Sequence, residues 1–370
     1  MKKSKLLLVT PYFHPKPGGL ENYVLNIAQG LQKNYAWDIV VVTSNHIEKK
    51  FSKKNMSGIK IYRLPYLLKI SNTPINPFWY FTIKNIIKQE KPDIINAHAP
   101  VPFIADVASS VCGTIPFILT YQAGTMKKEQ FLPDIIIYLY EKIFLRRLLK
   151  RSNMIICSSK FVKNTIAKEY REKSVVITPA VNTSLFKPGD KKKAESTILF
   201  VGSNAGIYKM KGLYNLIDAI ANIPNAILKV IGEKIPKDQK NIKFIGIKKG
   251  KNLVKEIQKS TALVLPSLAH MESFGMVLIE AMACKTPVVG ANIGGIPEVI
   301  SNGKDGFLVP PKNPQALKKA LEKIIKDKNL ATTMAENGYK KVKDNYTWDK
   351  KVSQTQEVLA MSLRGKHDSA

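Results

Sequence analysis

Short apolar runs alternate with helix-patterned segments along nearly the whole chain, and this alternation constrains the fold more than any other feature. The runs Lys5–Thr10, Ile39–Thr43, Ile59–Arg63, Ile94–Ala97, Phe117–Thr120, Met154–Cys157 and Val175–Thr178 have the length and residue types of strands. Between them apolar residues fall at helical spacing, as at positions 24, 25, 27, 28 and 31 of Glu21–Gln32. Strands that are apolar on both faces need helices on both sides, so the pattern predicts parallel sheets. The polar segment Phe186-Lys-Pro-Gly-Asp-Lys-Lys-Lys-Ala-Glu-Ser then reads as a linker. Beyond it strands are expected at Thr197–Gly202, Ala226–Gly232, Ile242–Ile245, Ala262–Pro266, Pro287–Ala291 and Phe307–Val309, followed by a helical region from about Ala331 to Leu363. The expected fold class is therefore α/β, with two doubly wound parallel-sheet (Rossmann-like) domains. Such sheets bind ligands beyond the carboxyl ends of their strands, and two of them facing each other define a central cleft.

A chain of 370 residues, 45% hydrophobic, suits two domains with packed cores. The longest apolar stretches, Leu6–Val9 and Ile135–Leu139, fall far short of the ~20 residues of a membrane helix. The basic-then-apolar start is too short for a signal peptide and reads as a first strand. Three scattered cysteines (Cys112, Cys157, Cys284) fit a reducing compartment, so a cytoplasmic location is expected. The histidines at 14, 46, 98, 270 and 367 show no metal-ligand spacing. The net charge is +30, with only six arginines. Such a surface is either solvated lysine or a match for anionic membranes or phosphorylated substrates. No aromatic-basic motif supports nucleic acid. Phe131–Ser152 interleaves Ile135, Ile136, Tyr138, Leu139, Ile143, Leu145, Leu148 and Leu149 with Lys142, Arg146, Arg147, Lys150 and Arg151. It reads either as a core helix with a basic solvent face or as a helix on anionic lipid.

The densest segment for chemistry is 262–290. A strand ends near Pro266, a loop carries Glu272, and Ser273-Phe274-Gly275 opens a helix that runs to about Cys284. A helix start behind a glycine presents free N–H groups suited to a diphosphate. Glu280 lies in that helix among apolar neighbours, where a carboxylate needs a hydroxyl or cation partner. Taken alone, it reads equally well as a satisfied structural group.

The wording of this segment resembles the signature of the retaining glycosyltransferases of family 4, which have the GT-B architecture. Pro-Ser precedes Glu272, Phe-Gly follows it, seven residues separate it from Glu280, and Glu-Ala-Met-Ala leads into Pro-Val-Val. The resemblance implies that Glu280 hydrogen-bonds the nucleotide ribose and Glu272 contacts hydroxyls of the transferred sugar. Ser273, Phe274, Gly275, Met276 and Val277 would meet the sugar and diphosphate. Ile198-Leu-Phe-Val-Gly-Ser203 and Lys209-Met-Lys211-Gly212 resemble the family's cationic diphosphate loop. Lys211 matches its lysine, Ser203 stands where arginine is usual, and Lys209 is the candidate replacement. Gly294-Gly295-Ile-Pro-Glu298 resembles the family's Gly-Gly-x-Pro-Glu loop, with Glu298 structural.

In the first half, Gly18-Gly19 resembles the glycine-rich loop between the first strand and helix, where backbone N–H groups can approach phosphate. Asn96-Ala-His98 resembles a strand end where the family often has two histidines; only His98 remains, and Gln122 also replaces a common histidine. The resulting assignment is an acceptor-side domain at 1–186 and a nucleotide-sugar-binding domain at 187–347. A helix at 348–370 would cross back to the first domain and end in a flexible tail.

The activity implied is transfer of a hexosyl unit, with retention, from a UDP- or GDP-linked sugar to a hydroxyl of a glycan or lipid-linked acceptor. Glu272, His98 and Lys211 are the expected catalytic residues. No Asp-x-Asp motif occurs, so no metal, and no cofactor besides the nucleotide-sugar substrate, is expected. A nucleotide-sugar epimerase or hydrolase, and a non-catalytic binder of the same fold, remain alternatives.

Overall fold

The computed structural model describes residues 3–16, 18–124, 126, 131–189, 196–235, 240–268 and 272–367. It divides into two compact units, Met1–Thr178 with Trp348–Ala370, and Pro179–Thr347.

The first unit holds β1 (Lys5–Thr10), β2 (Asp38–Ser44), β3 (Ser52–Met56), β4 (Ile59–Leu64), β5 (Leu68–Ile70), β6 (Thr73–Ile75), β7 (Ile94–Ala99), β8 (Phe117–Tyr121), β9 (Met154–Cys157) and β10 (Ser174–Val176). Eight of these form one sheet in the order β10-β9-β8-β7-β1-β2-β4-β3, parallel except for β3. Leu6, Leu7, Leu8 and Val9 are all inaccessible to solvent, as helices on both faces require. The second unit holds β11 (Thr197–Val201), β12 (Ile227–Ile231), β13 (Ile242–Phe244), β14 (Ala262–Leu265), β15 (Val288–Ala291) and β16 (Phe307–Val309). They form a parallel sheet in the order β13-β12-β11-β14-β15-β16. The order reverses between β1 and β7 in one sheet and between β11 and β14 in the other, so each unit has one topological switch point.

Three strands escaped the sequence reading. β3 is Ser-Lys-Lys-Asn-Met on an exposed edge, where charge rather than apolar pattern is favoured. β5 and β6 make a separate antiparallel hairpin of three residues each. The terminal helical region expected from about Ala331 is two helices, and a further helix precedes it. Pro314–Lys326 and Lys328–Asn345 are capped by Asn313 and Asp327, whose side chains accept from Ala316 N and Leu330 N. The third, Trp348–His367, packs against helix Gly19–Tyr35. Gly30 makes room there, because a Cβ would lie 2.3 Å from Val352 Cγ2, and Trp37 Nε1 donates to Gln356 Oε1.

Segment 131–151 is helical throughout, with one change of register. Helix Phe131–Tyr140 passes through a π-turn at Glu141–Leu145 into helix Arg146–Arg151. At the amino ends of β1 and β4 sits a buried structural carboxylate, Glu90. It accepts from Lys60 Nζ at 2.7 Å, Tyr62 OH at 2.5 Å and Lys5 Nζ at 3.2 Å. Burial pushes its carboxyl up, but these donors more than offset that and hold it at about 2.

Candidate active site

In the second unit the residues singled out from sequence converge on the β11/β14 switch point. β11 leads into the loop that carries Lys209 and Lys211, and β14 leads into the loop that carries Glu272. Backbone contacts join the two loops. Leu268 N donates to Met210 O at 2.8 Å, and Gly212, at φ +74°, would put a Cβ 1.9 Å from Pro266 O. Only glycine fits that approach. The Gly294-Gly295 loop after β15 closes on the same place. Gly295 N donates to Glu272 O at 2.9 Å, and Cβ atoms at 294 and 295 would lie 2.3 Å from Glu272 O and 2.1 Å from Ser273 O. Three strand-end loops are thus pinned to one another by backbone.

Gly275, at φ +93°, turns the chain into helix Met276–Ala283. Phe274 anchors the turn in the core, edge-on to Tyr346 at 5.5 Å between ring centres. The first-turn N–H groups of Met276 and Val277 have no backbone acceptor among the described residues, as helix starts require. One turn further on, Glu280 is half-buried. Burial pushes its carboxyl up to about 7, and the Lys211 ammonium opposes that rise. Lys211 is thus the cation that acts on Glu280 through space, and no hydrogen bond or ion pair joins the two side chains among the described residues. Lys211, Glu272 and Ser273 are half-buried, whereas Lys209 and Ser203 are exposed. The hydroxyl of Ser267, next to Pro266, is buried without a partner.

The loop after β11 is shaped by a residue that sequence reasoning passed over. Tyr208 is fully buried, and its ring and hydroxyl fill the space where Cβ atoms of Gly202 and Gly232 would stand, at 2.4 and 2.2 Å. Its hydroxyl donates to Glu233 O at 2.7 Å, and the Glu233 carboxylate accepts from Ala205 N at 3.0 Å. The clue in the sequence was a pair of strand-end glycines, Gly202 and Gly232, with Tyr208 soon after the first.

In the first unit, Gly18, Gly19 and His98 lie around the β1/β7 switch point. Gly18 precedes helix Gly19–Tyr35, and the Glu21 carboxylate folds over it, 2.0 Å from where a Cβ would be. Nothing lies within 4 Å of a Cβ at Gly19. His98 is inaccessible, both ring nitrogens lack partners, and Tyr23 meets its ring edge-on at 6.0 Å. Burial lowers its pKa to about 3, which keeps the imidazole neutral. Asn96 donates to Thr120 Oγ1 at 2.9 Å and Ile118 O at 3.2 Å, so it is a cross-strand tie. The Gln122 amide nitrogen is buried without a partner. His270 lies outside the described residues.

Two family models divide most of the chain between them. Glycosyltransferase Family 4 matches residues 17–185 and Glycosyl transferases group 1 matches residues 181–341. The chain belongs to glycosyltransferase family 4. An uncharacterised glycosyltransferase of Methanocaldococcus jannaschii is 28% identical over 95% of this chain and 97% of its own. A probable sucrose-phosphate synthase of Thermosipho melanesiensis is 27% identical over 91% of this chain and 89% of its own. Among solved structures, sucrose-phosphate synthase from Thermosynechococcus elongatus superposes with a TM-score of 0.79 at 20% identity, covering 98% of this chain and all of the other. Anabaena HepE, solved with UDP and glucose, gives 0.73 at 17% identity, covering 97% of this chain and all of the other. The fold is GT-B, and the family member described here is a glycosyltransferase. Among its described residues no helix is long and apolar enough to cross a membrane.

Proposed function

We propose that this glycosyltransferase moves a hexosyl unit from a nucleoside-diphosphate sugar to an acceptor hydroxyl, with retention and without a metal ion. The observation that carries the reading is the placement of half-buried Glu280 within the electrostatic reach of Lys211, beside the open first turn of helix Met276–Ala283. A carboxylate suits ribose hydroxyls, and an ammonium with free N–H groups suits a diphosphate. In this reading the ribose donates to Glu280. Lys211 and the N–H groups of Met276 and Val277 take the departing charge, and exposed Lys209 supplements them. Glu272, with Ser273, Phe274 and Gly275, orients the sugar. Gly18, Gly19 and His98 are the first unit's candidate substrate contacts.

The bond from sugar carbon to diphosphate oxygen breaks as the bond to the acceptor oxygen forms. The acceptor proton passes to the leaving phosphate on the same face, so no protein base is required and neutral His98 need carry no charge. The protein's work is electrostatic and positional. A thermal-shift panel of UDP-, GDP- and ADP-hexoses identifies the donor. Acceptor-dependent transfer of that sugar, with the product's anomeric configuration read by NMR, then tests the chemistry. Epimerisation or hydrolysis of the donor at the same rate without acceptor would overturn it.

The reading extends to the cytoplasmic membrane face. Among the described side chains of segment 131–152, Leu145, Leu148, Leu149 and Ser152 are buried, whereas Ile136 (68% exposed), Leu139 and Phe144 (50% each) face out. They share the surface with Lys142, Arg146 and Arg147. An amphipathic, cationic face of this kind suits anionic lipid. Vesicle binding that weakens with salt is the expected result, and salt-indifferent binding would count against it.

A further inference from the structure

Of the charged side chains that the first unit buries, Glu90 and Arg63 lie at opposite ends of its sheet, and they are treated differently. Glu90, at the amino end, is saturated by three donors. Arg63, at the carboxyl end of β4, is only 4% exposed. Its Nη2 donates to His14 O, but Nε and Nη1 reach no acceptor, and no carboxylate pairs with it among the described residues. A buried guanidinium cannot shed its proton, so unmet donors leave an uncompensated cation.

More positive charge gathers beside it. Arg63 and Lys16 both act on His46, adding to the burial that lowers its pKa, and the His46 Nδ1 is also buried without a partner. Lys16 lies over the Tyr12 ring, 2.9 Å from its centre, and pairs with Glu21 at 3.5 Å. Its side chain keeps 32% exposure. These groups sit on the loops after β1 and β2 and at the carboxyl end of β4, the end of the sheet where ligands of this fold bind.

The rim of the cluster is apolar. Tyr12 OH donates to Asn72 O at 3.1 Å, in the turn of the β5–β6 hairpin. Lys69 of that hairpin adds to the positive field at Lys16. The hairpin and the start of helix Trp79–Glu90 leave Leu67 (69%), Leu68, Ile70, Phe78 and Phe81 exposed. Five large apolar side chains on consecutive elements, beside a buried cation that lacks an anion, match a ligand with an ionic head and a hydrocarbon body.

We infer that Arg63 and Lys16 form the phosphate subsite of a phosphate-bearing lipid acceptor, whose hydrocarbon lies along the β5–β6 hairpin. This rests on the transferase reading but is tested without turnover. The probes are glycerol 3-phosphate and dihexanoyl phosphatidic acid, the latter below its micelle concentration so that no lipid surface is present. Binding to the full chain is measured by calorimetry at fixed ionic strength. The lipid is expected to bind about 10-fold tighter than the soluble phosphate, because its chains bury apolar surface. Arg63→Gln should weaken both probes by about 10-fold or more. Leu68→Ser with Ile70→Ser should remove the lipid's advantage and leave glycerol 3-phosphate unchanged. Should Arg63→Gln fail to fold, Lys16→Gln serves, with about a 5-fold loss for both probes.

Parent-like binding of both probes by Arg63→Gln, or by Lys16→Gln where that variant stands in, overturns the phosphate subsite. Equal affinity of the parent for the two probes overturns the lipid assignment. Either failure leaves the donor reading standing, because that reading is tested on Lys211 with nucleotide-sugar.

Discussion

The two switch points share a topology and differ in electrostatics. At β11/β14 the chain assembles Glu280, Lys211 and an open helix start, held by glycines that allow backbone contact between three loops. At β1/β7 it places a neutral, desolvated His98 against Tyr23. The first unit keeps its unmet positive charge two strands away, at Arg63. One crossing is thus suited to hold a charged leaving group, and the other to present uncharged hydrogen-bonding groups. Identical topology decides where a ligand binds, whereas side chains decide which part of the reaction each end serves.

The contrast can be broken most sharply at Lys211. Lys211→Ala is expected to lower kcat/KM for transfer by about 100-fold or more while the fold persists, the usual scale for a lost transition-state charge contact. A loss within twofold would erase the distinction. Backbone apposition comes next. Gly294→Ala places a Cβ 2.3 Å from Glu272 O at φ +60°, and should cost roughly 1–3 kcal/mol by denaturant titration.

The crossings also predict opposite pH slopes. Glu280 holds its proton up to about 7 when folded, so the folded state binds more protons than the unfolded one from the ordinary carboxylate range to about 7. Stability falls as pH rises through that window. Glu280→Gln should remove the slope, and nucleotide-sugar affinity of the parent should tighten as the carboxylate ionises toward pH 7. His98 resists protonation to about 3. The unfolded state then binds more protons between there and the ordinary imidazole range, and stability is lost as pH falls below that range. His98→Asn should flatten the acid limb of a Tm-versus-pH curve and leave the neutral limb alone. Parallel curves for parent and variant would refute the buried neutral imidazole. The smallest effect belongs to exposed Lys209: Lys209→Ala should change kcat/KM by about threefold or less, since a solvated charge is worth little.

Much of the fold was legible because buried parallel strands carry a local signal. β1, β9 and β16 begin and end at the expected residues, and the other expected strands shift by a residue or so, or by two at Ala99 and Thr178. The strands that were missed lie on polar edges or span three residues, where no burial pattern is imposed. The resemblance that located Glu272, Glu280 and Lys211 rests on near-continuous wording, which short loops and one helix preserve in sequence. Tyr208 and Arg63 carried no such signal, because their roles depend on elements that only the sheet brings together.

By itself, the sequence determined two doubly wound sheets, the loops that lie at their carboxyl ends, and the family. Only the tertiary structure decided that Lys211 acts on Glu280 through space, that Glu272 is held from behind by Gly294 and Gly295, and that His98 is sealed and neutral. It also separated Glu90, which is satisfied, from Arg63, which is not. The physical reason is range. Strand period, helix period and turn chemistry are settled within about ten residues of chain, whereas desolvation and charge pairing are settled by groups that meet only after the sheets close.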